Sequence, residues 1–65
     1  MNDADMEKLE YFLDEYYLPE LVVSLSRICQ LKADDARGSD KEVASKFETY
    51  TDILNDAHAK IEEVS

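Results

Sequence analysis

The apolar positions of this chain gather in three stretches, and the middle one, Leu18 to Ala36, is the densest. It reads LPELVVSLSRICQLKADDA, with ten apolar residues among nineteen. Leu18, Leu21, Leu25 and Ile28 recur at alternating spacings of three and four, which is one face of an α-helix. Val22, Cys29 and Ala36 widen that face, while Val23 and Leu31 lie off it. An arc this wide calls for helices on at least two sides, with Leu25 facing both.

Two flanking stretches can supply those helices. In the first, Met6, Leu9, Leu13 and Tyr16 alternate three and four apart with Phe12 beside them. Asp3, Glu7, Glu10 and Asp14 form the opposite, acidic ridge. Asn2, Asp3 and Asp5 are acceptable N-caps whose polarity suits the positive end of the helix dipole. This helix is expected to stop near Tyr17, because Leu18 precedes Pro19 and is pushed away from α geometry. Pro19 suits the first turn of the next helix; one continuous, kinked helix is the alternative.

In the last stretch, Val43, Phe47, Tyr50, Leu54, Ala57, Ile61 and Val64 step four and three in strict alternation, a heptad seam. Its outer side carries Glu48, Asp52, Asp56, Glu62 and Glu63. The single glycine, Gly38, stands where a left-handed C-cap residue ends the central helix. Ser39-Asp40-Lys41-Glu42 then has the capping-box pattern. Stop and start signals this close imply a tight antiparallel reversal. The fold expected is all-α, a small three-helix up-down-up bundle over about 3–17, 19–37 and 40–64, one domain spanning 1–65. That order places Asp3 and Asp5 near Lys32, Arg37 and Lys41. Helix three, at about 1.5 Å per residue, is expected to overhang helix two. Ile61 and Val64 on the overhang would then need the Tyr16–Leu18 corner, a second copy or a partner to cover them.

Composition sharpens this picture. A chain of 65 residues buries only about 60% of its unfolded surface, which leaves little room for an enclosed substrate pocket. Its 45% apolar content is that of a folded protein, and one glycine and one proline favour long helices over many short strands. One cysteine excludes an intramolecular disulfide framework. No stretch approaches the ~18 apolar residues of a membrane span, and the acidic start is unlike a signal peptide. A cytoplasmic protein is expected, in the host cytoplasm if phage-encoded.

The net charge of −9 is unevenly spread. Residues 1–20 carry seven acids and one lysine, residues 21–38 two acids and three bases, and residues 39–65 seven acids and three lysines. Such a balance opposes contact with nucleic acid or an anionic membrane and favours basic partners.

Candidate chemistry is sparse. Cys29 lies on the wide apolar arc and reads as a small core residue. His58 and Glu62 are one helical turn apart, but two ligands do not make a metal site. Asp3, Asp5 and Glu7 mimic the start of a calcium loop without its glycine. No nucleophile–base pair or phosphate loop is present, so no catalytic residue, cofactor or metal is expected. Binding falls instead to the acidic ridges, Glu7, Glu10 and Asp14 on helix one and Glu48, Asp52 and Asp56 on helix three. Tyr11, Tyr17 and Ile61 form a secondary aromatic and apolar set, since tyrosines among acids are good anchors for a protein partner.

In size, acidity and lack of catalytic groups, the chain resembles the small phage-encoded anti-CRISPR proteins, several of which act as nucleic-acid mimics. The resemblance is compositional and carries no motif. It implies a non-enzymatic inhibitor, monomeric or weakly dimeric, that occupies the basic, nucleic-acid-binding surface of a partner such as a Cas subunit. The alternative is a small helical co-chaperone or assembly subunit, as in type III secretion, that shields a partner's apolar helix.

Overall fold

The computed structural model describes residues 1–64, which form three helices and no strand. They are α1 (Asp3–Glu15), α2 (Leu18–Ala36) and α3 (Lys41–Val64). This is the all-α, three-helix architecture expected from the periodicity.

Local chemistry explains each boundary. Asn2 caps α1, its Oδ1 accepting from the Asp5 N–H at 2.8 Å. The helix ends at Glu15 because Tyr16 and Tyr17 both turn extended, with ψ of 152° at each. The break thus falls one residue before Leu18, which already belongs to α2, and Pro19 occupies that helix's first turn without loss of a helical hydrogen bond. At the far end, no residue takes a left-handed conformation, contrary to the expectation for Gly38. Instead the Ser39 and Asp40 N–H groups donate to the Ala36 carbonyl at 3.0 and 2.7 Å, and the chain reverses through right-handed turns. Asp40, rather than Ser39, caps α3, accepting from the Val43 N–H at 3.1 Å.

Packing among the three helices is uneven. The α2 and α3 helices run antiparallel and lie against each other along their lengths, whereas α1 meets α2 only around the corner. Among the described residues, no Cα of α1 comes within 8 Å of one in α3. The Cα body measures 37 × 31 × 14 Å, a slab rather than a ball.

The α2–α3 seam departs from the pattern of large side chains. On α2 the residues turned inward are Pro19, Val22, Ser26, Cys29, Ala33 and Ala36; on α3 they are Ala44, Phe47, Thr51, Leu54, His58 and Ile61, with Ala57 beside them. Both sets step three and four along the helix, which is coiled-coil spacing. Most are small, so the two backbones approach closely, and Ala33 is fully buried. The buried hydroxyls are satisfied: Ser26 donates to Asn55 Oδ1 at 2.5 Å and Thr51 to the Phe47 carbonyl at 2.9 Å. The α3 seam keeps Phe47, Leu54 and Ile61 from the expected set, but Val43, Tyr50 and Val64 rotate outward.

Leu25, expected between two helices, is 50% exposed, as is Ile28. Only one neighbour, α3, lines the α2 arc, and it selects the small residues because they permit the closer approach. Leu18 and Leu31 are left open with them.

This seam leaves no spare volume at Ala33. Ala33→Leu is expected to destabilise by about 1–3 kcal/mol through overpacking, read as a lower thermal midpoint. Gly38→Ala is expected to act in the opposite sense. Its φ is not positive and an added Cβ meets nothing within 4 Å. Stiffening the unfolded chain there should stabilise by about 0.4–1 kcal/mol, read by chemical denaturation.

Candidate functional site

The six ridge carboxylates all reach solvent. On α1, Glu7, Glu10 and Asp14 project from a helix whose every residue is exposed, and none of the three forms an ion pair among the described residues. On α3, Asp52 is equally unpaired, but Glu48 accepts from Arg37 at 2.6 Å and Asp56 lies 3.3 Å from Lys60 Nζ. Since α1 and α3 do not pack together, the two ridges form separate acidic edges rather than one strip.

Nor do Lys32, Arg37 and Lys41 neutralise Asp3 and Asp5, as the bundle order suggested. The splayed α1 does not reach them, and Arg37 is held by Glu48 and by Asp34 at 3.1 Å. The hydrogen bond with Glu48 and the charges of both carboxylates raise the guanidinium pKa above its ordinary value. His58 approaches Glu62 at 3.2 Å, an arrangement of one turn on the helix. No group of three or more metal-ligating side chains occurs among the described residues.

The aromatic set divides. Tyr11 is exposed on α1, its ring 6.0 Å from Phe12 in an edge-on contact. Tyr17, 84% exposed, and half-buried Ile61 line one open hollow with Leu18, Pro19 and Val64. The corner therefore does meet the end of α3, although Val64 remains 90% exposed. Cys29 is a half-buried member of the α2–α3 seam.

The apolar face of the hairpin was not anticipated. Leu18, Leu21, Leu25 and Ile28 each stand one residue before a seam position on α2, and Val43, Tyr50 and Ile53 do the same on α3. One residue is about 100° of rotation. Because the helices are antiparallel, equal rotation in the same sense brings both stripes to one side of the hairpin. The hairpin thus has a broad open apolar face, on which only Leu21 is half-buried. Four charged residues occupy the same offset: Asp35 and Lys60, before Ala36 and Ile61, and Lys32 and Lys46, before Ala33 and Phe47, of which Lys32 and Lys46 form no ion pair among the described residues. The signal for these lysines lay in the small-residue spacing of the seam, to which they are adjacent.

With −9 on a thin body and four ridge carboxylates unpaired, self-repulsion should outweigh the few exposed ion pairs. Moderate NaCl at fixed protein concentration is therefore expected to raise the melting temperature. Relief of about 1 kcal/mol corresponds to roughly 4–8 °C for a domain of this size. A steady fall would show that local pairs dominate.

No helix among the described residues is long and apolar enough to cross a membrane. Comparison with known proteins brings no family to the chain: no family model, curated protein or solved structure matches it.

Proposed function

We propose that this protein is a non-enzymatic, acidic binding protein that engages the basic surface of a nucleic-acid-binding partner and blocks it. The observation that carries the reading is the set of exposed carboxylates that form no ion pair among the described residues, Glu7, Glu10 and Asp14 on α1 and Asp52 on α3. Carboxylates three and four residues apart recur every ~5–6 Å along a helix, giving a row of negative charge. Such a row attracts arginines and lysines that otherwise hold phosphates, and long-range attraction speeds the encounter. Side chains already free of intramolecular ion pairs lose none on binding. Glu48 and Asp56 would have to exchange Arg37 and Lys60 for the partner's cations.

An inhibitor of the anti-CRISPR type, acting in the host cytoplasm on a Cas subunit, is the specific form of this reading. Its support is the acidity, the small size and the absence of a catalytic constellation. The open apolar face of the hairpin favours the second reading, a co-chaperone or assembly subunit that covers a partner's apolar helix.

Charge reversal separates the two. Glu7, Glu10 and Asp14, or Glu48, Asp52 and Asp56, are changed together to lysine, with helicity checked by circular dichroism. Binding to the partner captured from host lysate is then measured at low and moderate salt. Loss of about tenfold or more from one trio, with affinity falling as salt rises, supports the inhibitor reading and assigns the working edge. Unchanged binding in both trios, with loss in Tyr17→Ala or in Ile53→Asp on the open face while helicity is retained, overturns it in favour of the co-chaperone.

A further inference from the structure

In the single chain only α2 and α3 pack along their lengths, and α1 lies against neither beyond the corner. Its 5327 Å² of accessible surface exceeds the about 4,250 Å² expected of a folded 7.5 kDa monomer, a difference of about 1,100 Å². Its radius of gyration, 13.6 Å, likewise exceeds the about 10.7 Å of a compact chain of this length. A core needs at least two layers. The surplus area also matches a stable dimer interface, which removes about 800 Å² from each partner.

What would complete the second layer is present in the sequence. The hairpin's open face is apolar along Leu18, Leu25 and Ile28 and carries Lys32 and Lys46, which form no ion pair among the described residues, with Asp35 at its end. Its complement is an amphipathic helix with an apolar stripe and acidic margins. The α1 helix is that element: Met6, Leu9 and Leu13 form the stripe with Phe12 beside them, every one exposed, and six acids stand against Lys8. The helix does not fold back on its own hairpin, because Tyr16 and Tyr17 are extended and Pro19 stiffens the start of α2. A short, stiff connection that holds an element away from its site favours its exchange with another copy.

We infer that this protein is a helix-exchanged homodimer, in which the α1 helix of each copy lies on the α2–α3 apolar face of the other. The exchange is reciprocal, so one two-fold contact closes both faces and leaves no open edge for further growth. Asp5 and Glu15, off the ridge of α1, are the acids left to approach Lys32 and Lys46, which offsets part of the repulsion between two chains of −9. Covering the apolar stripe leaves Glu7, Glu10 and Asp14 outward, so the ridges stay accessible. The inference stands independently of the partner proposed above.

Sedimentation equilibrium of the full chain tests it first. The expected mass is twice 7.5 kDa, with a melting temperature that rises with protein concentration. A mass of one chain at all concentrations overturns the inference, since α1 then covers its own hairpin or the face awaits another protein. The route of association is tested by complementation. Leu9→Glu on α1 and Leu25→Glu on α2 are each expected to weaken self-association by at least about tenfold. Mixed together, the two variants should form a heterodimer, because the intact α1 of one copy meets the intact hairpin of the other. Helicity is followed through the mixing, so a variant that loses structure alone still reports by regaining it. A Leu9→Glu protein that dimerises like the parent points to hairpins stacked face to face and overturns the exchange. Variants that fail to associate on mixing overturn it equally.

Discussion

The close antiparallel contact between α2 and α3 is the constraint on which the rest of this molecule depends. It is built from small side chains, with Ala33 fully buried near the turn between the helices and Ala44 and Val22 also buried. Small residues remove little area each, but they bring backbones together and multiply weak dispersion contacts. They also permit Ser26 and Thr51 in the seam, since each hydroxyl finds an acceptor within reach. The seam fixes the rotation of both helices about their axes. Once that rotation is set, every other residue on the hairpin is assigned to a face.

The consequence is a division between interior and sequence hydrophobicity. Among the described residues no large side chain is fully buried, while Leu25, Ile28, Tyr50 and Ile53 stand on one outer side. A chain so small has few ways to gain stability, and leaving its largest apolar groups in water forfeits much of what it has. Continuous apolar area of this kind marks a surface meant to be covered. The helix-exchanged dimer accounts for the open face, the exposed stripe of α1 and the stiff corner between them with a single arrangement.

The charge pattern fits the same division. Acids dominate α1 and the outer side of α3, while the open face offers Lys32 and Lys46. Apart from Asp35, which stands beside Lys32 at one end of that face, the carboxylates remain in water, where their net charge acts at a distance. The proposed engagement of a basic partner uses those outer edges, so self-association and partner binding do not compete for the same residues.

The helices and their ends were legible in the sequence because the signals are local. Asn2 supplies a cap acceptor and Pro19 suits only a first turn; the place of the second reversal was legible too, although Gly38 is not left-handed there and Asp40 caps α3 in place of Ser39. The acidic ridges were equally legible, since a residue's place on a helix follows from its number alone. What the sequence left open was the choice between two stripes on α2. Leu18, Leu21, Leu25 and Ile28 form the more hydrophobic one; Val22, Ser26, Cys29, Ala33 and Ala36 form a neighbouring one at the same spacing. Ranking by hydrophobicity selects the first, but a single closely packed helix is matched by shape and selects the second. The tertiary structure made that choice, because it depends on the surface α3 presents. The open apolar face and its lysines, and the absence of α1 from that face, followed from that choice and from the extended backbone at Tyr16 and Tyr17.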